Sequence, residues 1–182
     1  MSTFKIKSYA KVNLALNVTG KLSKMHKIES IISFIDLHDL IYLKLINYKN
    51  HKITFKGKFS RGINKKNTIS KLLEILDQKK LLNNKKFMVE VIKHIPQKSG
   101  MGGGSMNAAS LINFFRKKKI IKIKKNNLIS LTKMISSDVI LGINPSNSIL
   151  LSNGKVNKYK KKIKLFTLIV KPNFGCSTTY IY

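Results

Sequence analysis

The chain has 182 residues, of which 36 are Lys or Arg and 7 are Asp or Glu, leaving a formal net charge of +29. A hydrophobic fraction of 43% excludes a wholly disordered polycation and supports a packed core. The length fits one long domain, or one domain plus part of another, and the lone Cys176 excludes both an intramolecular disulfide framework and a cysteine-rich metal site.

Alternation of Phe4, Ile6, Val12, Leu14, Leu16 and Val18 with polar or small residues predicts a half-buried strand over 3–19, ended by Thr19-Gly20. Further extended stretches are expected at 28–34, 40–46 and 52–56. Ile69, Leu72, Leu73, Ile75 and Leu76 recur at helical spacing, with Thr68 or Asn67 available as the N-cap. Phe87, Val89, Val91 and Ile95 predict a strand halted by Pro96, followed by a glycine-rich turn and a helix start in GMGGGSMNAASLINFF. A helix is expected over 126–135 and an apolar strand over 162–170. The stretch 31–46 is interrupted by Asp36, His38, Asp39 and Lys44, and nothing approaches the roughly 18 consecutive apolar residues of a membrane span. With no apolar signal-like stretch at residues 1–14, a reducing cytoplasm is the expected location.

The charge admits two readings. A basic surface attracts phosphate backbones, so a lysine-rich nucleic-acid-binding module is one. Yet only Arg61 and Arg116 are arginine, and Lys, Ile and Asn together make up 76 of 182 residues. All three have A/T-rich codons, so compositional drift would place these lysines on any solvated surface. The lysine clusters at 79–86, 117–125 and 158–164 fall at helix ends or between elements, where charge runs are ordinarily solvated.

Gly100, Gly102, Gly103 and Gly104, followed by Ser105, stand between a strand and a helix. Such a turn lets the backbone approach a ligand, and the helix start offers free N–H groups to phosphate. A flexible hairpin is the other reading, although Ala108-Ala109 favours a helix packed tightly against the strand. The segment has neither a Walker A ending nor dinucleotide-fingerprint spacing. Asp138 is the only acid in the last 92 residues, and is either a helix cap or a working carboxylate. Lys11, inside an apolar run, either snorkels to the surface or stands beside a reacting hydroxyl, with Asn13 alternating to the same face.

SYAKVNLALNVTG, residues 8–20, resembles the N-terminal signature of the GHMP small-molecule kinases, and PQKSGMGGGSMNAAS, residues 96–110, resembles their phosphate loop. With His26 and Ser137 to Val139, the order and spacing are similar to the branch that acts on 4-diphosphocytidyl-2-C-methyl-D-erythritol in the non-mevalonate isoprenoid route. The resemblance implies an α+β fold of the ribosomal protein S5 domain 2 type over 1–159, with 160–182 opening a second domain. Family members run on for about another hundred residues, so a fragment of a longer kinase or an inactive truncated remnant is expected. The implied reaction is ATP-dependent phosphorylation of the substrate's 2-hydroxyl, with Mg²⁺ accompanying ATP and no membrane or specific nucleic-acid partner. Asp138 would accept the hydroxyl proton and Lys11 would orient the hydroxyl and steady developing charge. Asn13 and His26 would contact the substrate, while Pro96, Gln97, Lys98, Ser99, Gly100, Met101, Gly102, Gly103, Gly104, Ser105 and Met106 would wrap the ATP phosphates. The chain departs from the family at Met25, where an aromatic is usual, at Met106, where a second serine is common, and at Ile140, where proline is usual.

Overall fold

A computed structural model describes residues 2–22, 25–153, 155–159 and 166–170, with backbone alone at 22, 25 and 26. Strands β1 (Thr3–Leu22) and β2 (Met25–Ile46) form a long antiparallel hairpin. Strand β2 is the spine of a sheet that has six strands among the described residues. Its other edge pairs with β4 (Lys86–Ile92) along 40–46 and with β5 (Ser148–Leu150) along 30–32. Strand β3 (Lys52–Lys56) runs parallel to β4, and β6 (Val156–Lys158) closes the far side antiparallel to β5. This mixed α+β architecture is the expected class.

Helix α1 (Thr68–Gln78) starts at Asn67, which settles the choice of cap. The Asn67 Oδ1 accepts from the N–H groups of Ile69 and Ser70, both at 3.0 Å, and Ser70 Oγ accepts from the Asn67 N–H at 2.8 Å. This reciprocal box frees Thr68, whose hydroxyl donates to the Gly104 carbonyl at 2.7 Å. Helix α2 (Gly103–Lys117) and helix α3 (Lys125–Ile135) share one core with α1 and the sheet. Leu72, Leu76, Ala108, Leu111, Phe115 and Leu131 pack there with Ile41, Val89 and Val91.

Three expectations are corrected. The stretches 28–34 and 40–46 belong to one continuous strand, because the polar Asp39 that breaks the apolar pattern is itself fully buried and paired with Lys93. Strand β4 ends at Ile92 and not at Ile95, because the N–H groups of His94 and Ile95 donate to the Asp39 carboxylate at 2.8 and 2.9 Å and so leave the ladder. Of the strand expected over 162–170, residues 166–170 are described. They have no regular structure, and Phe166, Leu168 and Val170 are exposed. The remainder of 160–182 lies outside the described residues. No described helix is long and apolar enough to cross a membrane.

His51, just before β3, accepts from the Phe87 N–H at 3.0 Å and meets Asp77 of α1 at 3.2 Å, while Lys86 pairs with the same carboxylate. Burial lowers its pKa below the usual value, against the attraction of Asp77. The unfolded chain therefore takes up this proton at higher pH than the folded one. The contribution is present above the unfolded value of about 6.5 and is lost as pH falls below it. Urea midpoints at about pH 7.5 and about pH 5.5 should show a smaller acid-dependent loss in His51→Gln than in wild type. An equal loss in both would remove His51 as the cause.

Candidate active site

A cleft of about 690 Å³ opens where β1, the end of β4, the glycine turn, the start of α1 and a 3-10 turn (Ser137–Gly142) meet. Lys11 reaches it because the β1–β2 register shifts between Tyr9 and Lys11, so that Ala10 and Lys11 are buried in succession where strict alternation would expose one. The Lys11 main-chain N–H donates to the Met101 carbonyl at 3.2 Å, stitching β1 to the glycine turn. Its ammonium lies 3.3 Å from Asn13 Oδ1, to which it donates, and 3.6 Å from Asp138 Oδ2. Lys11 is buried and the Asp138 carboxylate is partly open to the cleft.

The turn has left-handed backbone at alternate positions, Lys98 (φ 52), Gly100 (φ 72) and Gly102 (φ 65). Alternation of this kind turns successive N–H groups toward one side and makes a concavity for anions. Gly102 then caps α2 without a side-chain hydrogen bond, and the first turn of the 15-residue helix contains no acid. Its N–H groups and positive dipole end are left for an anionic ligand. The turn is anchored on both sides. Gln97 Nε2 donates to the Phe59 and Arg61 carbonyls, each at 2.8 Å, and Ser99 Oγ donates to the Pro96 carbonyl at 2.7 Å.

Asp138 is placed by packing. Gly142, at the far end of its 3-10 turn, sits so close to α2 that a Cβ there would be 2.6 Å from the Ala109 Cβ and 3.0 Å from Met106 Sδ. Ala109 thus packs tightly against this turn, where the sequence suggested the strand. The hydroxyls of Ser105 and Ser136 lie 2.9 Å apart and join α2 to the same turn.

Lys11, Asn13, Pro96 to Gly100, Gly102 to Ser105 and Asp138 all line the one cleft. Met101 and Met106 do not. Met101 packs with Ala10 and Ile95, and Met106 with Ile32 and Leu141, so any contact they make with a ligand is through main chain. The His26 side chain lies outside the described residues; its backbone pairs with Lys21 near the hairpin tip. Lys93, Asn107 and Thr68, none of them expected as site residues, also line the cleft. Lys93 was hidden by the abundance of lysine. Asn107, 1% exposed, has an Oδ1 with no hydrogen-bond partner among the described residues.

Residues 67–147, from the cap of α1 to the residue before β5, match the family described as "GHMP kinases N terminal domain". The stretch 67–147 is thus similar to a GHMP kinase N-terminal domain. The chain is 70% identical over its full 182 residues to a "4-diphosphocytidyl-2-C-methyl-D-erythritol kinase" of Pelagibacter ubique, of which it spans 65%. It is 30% identical, over 97% of its length, to a protein of the same name from Clostridium kluyveri, of which it spans 63%. A crystal structure of 4-(cytidine 5'-diphospho)-2C-methyl-D-erythritol kinase superposes with a TM-score of 0.66 at 19% identity, covering 86% of this chain and 55% of that one. A mevalonate pyrophosphate decarboxylase from Streptococcus pyogenes superposes at 0.64 and 14% identity, covering 94% and 57%. Likenesses at that identity establish the fold, which serves more than one chemistry.

Gly102→Ala would force an L-residue into left-handed backbone and set its Cβ 3.1 Å from Lys11 Cγ. A stability loss of about 1–2 kcal/mol is expected from the backbone conformation. Gly142→Ala should cost about 1–3 kcal/mol by overpacking against Ala109. Thermal melts check both, and a wild-type midpoint for Gly142→Ala would remove the packing account of how Asp138 is held.

Proposed function

We propose that this chain belongs to the GHMP kinases and forms the nucleotide-binding and catalytic part of an ATP-dependent kinase that phosphorylates the 2-hydroxyl of 4-diphosphocytidyl-2-C-methyl-D-erythritol. The observation that carries the reading is the Lys11–Asp138 pair facing the N-terminus of α2 across one cleft. The names of the relatives supply the substrate class. Phosphoryl transfer requires in-line positioning, neutralisation of phosphate charge and a base at the attacking hydroxyl. The free N–H groups of α2 and the turn 96–104 would receive the phosphates. Asp138, partly open to the cleft, would accept the hydroxyl proton, and Lys11, steadied by Asn13, would orient the hydroxyl and offset charge developing on it.

Magnesium would travel with the ATP phosphates and neutralise their charge. The cleft offers it oxygen donors in Asp138 and Ser105, and the described residues contain no cluster of three or more acids, histidines or cysteines. That donor set fits a cation that keeps water and phosphate oxygens in its shell.

The test is ADP release by the full-length gene product supplied with ATP and 4-diphosphocytidyl-2-C-methyl-D-erythritol. Asp138→Asn should lower kcat by about 10²-fold or more with little change in the KM for ATP, as loss of a general base does. Turnover at the wild-type rate in that variant would overturn the assigned base.

A further inference from the structure

A second ion pair, this one buried on both sides, lies beside the glycine turn. Asp39 of β2 is fully buried and Lys93, one residue past β4, is 4% exposed; their side chains are bonded to each other. Asp39 Oδ1 also accepts the His94 and Ile95 N–H groups, so one carboxylate binds the three residues that lead into the turn. The Lys93 N–H donates to the Lys56 carbonyl at 2.7 Å. Gly57, with φ +91, lies so close that a Cβ there would be 2.9 Å from the Lys93 carbonyl oxygen. The main chain at 93 is thus gripped from β3 and the side chain from β2.

The Lys93 ammonium also borders the cleft. A Cβ on Gly103, the first residue of α2, would be 3.2 Å from Lys93 Nζ and 3.0 Å from Ile95 Cγ2. A buried cation at the positive end of a helix is unfavourable on two counts, desolvation and the dipole, and an apolar side chain could fill the same space. Asp39 supplies the opposite charge that permits it there. Purely structural demands do not call for such an arrangement, whereas a ligand that is itself anionic profits from a fixed cation beside the helix start.

We propose that Asp39 is a positioning residue for the phosphate-binding turn, acting through Lys93 and the main chain of 94–95 to fix the entry to Gly102 and Gly103. The inference rests on the nucleotide reading of the cleft given above. Asp39→Asn keeps the shape and an acceptor for the N–H groups, but leaves Lys93 buried without its counter-charge. Asp39→Asn/Lys93→Met leaves no charge buried and keeps the side-chain volume close to the original.

The experiment measures thermal midpoints and steady-state kinetics with ATP for the full-length wild type and both variants. Asp39→Asn should melt well below wild type and the double variant should recover most of that loss. The double variant should nevertheless show a KM for ATP raised about tenfold or more, with kcat at saturating ATP within about threefold of wild type. A folded double variant with wild-type KM overturns the inference, and so does one that melts as low as Asp39→Asn, since the pair would then serve folding alone. Wild-type protein that neither turns over nor binds ATP removes the nucleotide reading itself, a result distinct from either.

Discussion

Two lysines stand inside the protein, and the arrangement of the site follows from how they are accommodated. Lys11 and Lys93 are the buried lysines of the described residues, and each is paired with an aspartate, Asp138 and Asp39 respectively. Each also lies close to where a Cβ would stand on one of two adjacent glycines, Lys11 Cγ 3.1 Å from that position at Gly102 and Lys93 Nζ 3.2 Å from it at Gly103. An ammonium taken out of water costs several kcal/mol unless a partner offsets it. The two aspartates are therefore as much a condition of the fold as the apolar core. Glycine suits 102 and 103 because a side chain at either position would crowd a paired lysine, and at 102 it also permits the left-handed backbone.

This arrangement gives the start of α2 an unusual electrostatic setting. The helix dipole and two ammonium groups bring positive potential to one place, and two carboxylates compensate from behind or beside it. The first turn itself has no acid and no capping side chain. Free N–H groups with fixed cations around them suit a polyanionic ligand, and need little reorganisation when it arrives. The formal +29 of the whole chain acts at longer range and is screened over about 10 Å at moderate salt. It can draw anions toward the surface, whereas the two lysine–aspartate pairs decide where one would rest. Codon drift is one reading of the first feature. It has no bearing on the second, which depends on the placement of two particular lysines and two of the few acids.

How much of this was legible in the sequence depended on whether the cause was local. Helices α1 and α3 showed their apolar spacing, and the strand–turn–helix around the glycines announced itself through glycine density after Val89 and Val91. Strand β2 did not read as one element, because the buried Asp39 looks like a solvent-facing interruption until its partner 54 residues away is known. Lys93 was one of 34 lysines and carried no signal of its own. Strands β5 and β6, three residues each, are too short to show a period. Gly142 is required by Ala109 on another element, a constraint that exists only once the chain is packed. Lys11, Asn13 and Asp138 were found through motif order, and the structure brings them to one cleft through a register shift that no periodicity would reveal.

Met106 shows how the loop can do without a hydroxyl at this position and still hold Asp138 in place. The side chains at 105 and 107 border the cleft, while that of 106 turns inward, 2% exposed, onto Ile32 and Leu141. Its sulfur comes within 3.0 Å of where Gly142 would carry a Cβ, so the methionine packs into the seam between α2 and the 3-10 turn that bears Asp138. A serine in this orientation would bury a hydroxyl among apolar groups and leave a void beside Leu141, two unfavourable terms in a close-packed interior. The flexible thioether suits an irregular gap of this kind. With Ser105 bonded to Ser136 on the cleft side of the same seam, α2 and the 3-10 turn are joined by a polar contact on one face and an apolar one on the other. The distance from Lys11 to Asp138 is then set by packing between α2 and this turn, and position 106 contributes to the site through volume and not through chemistry.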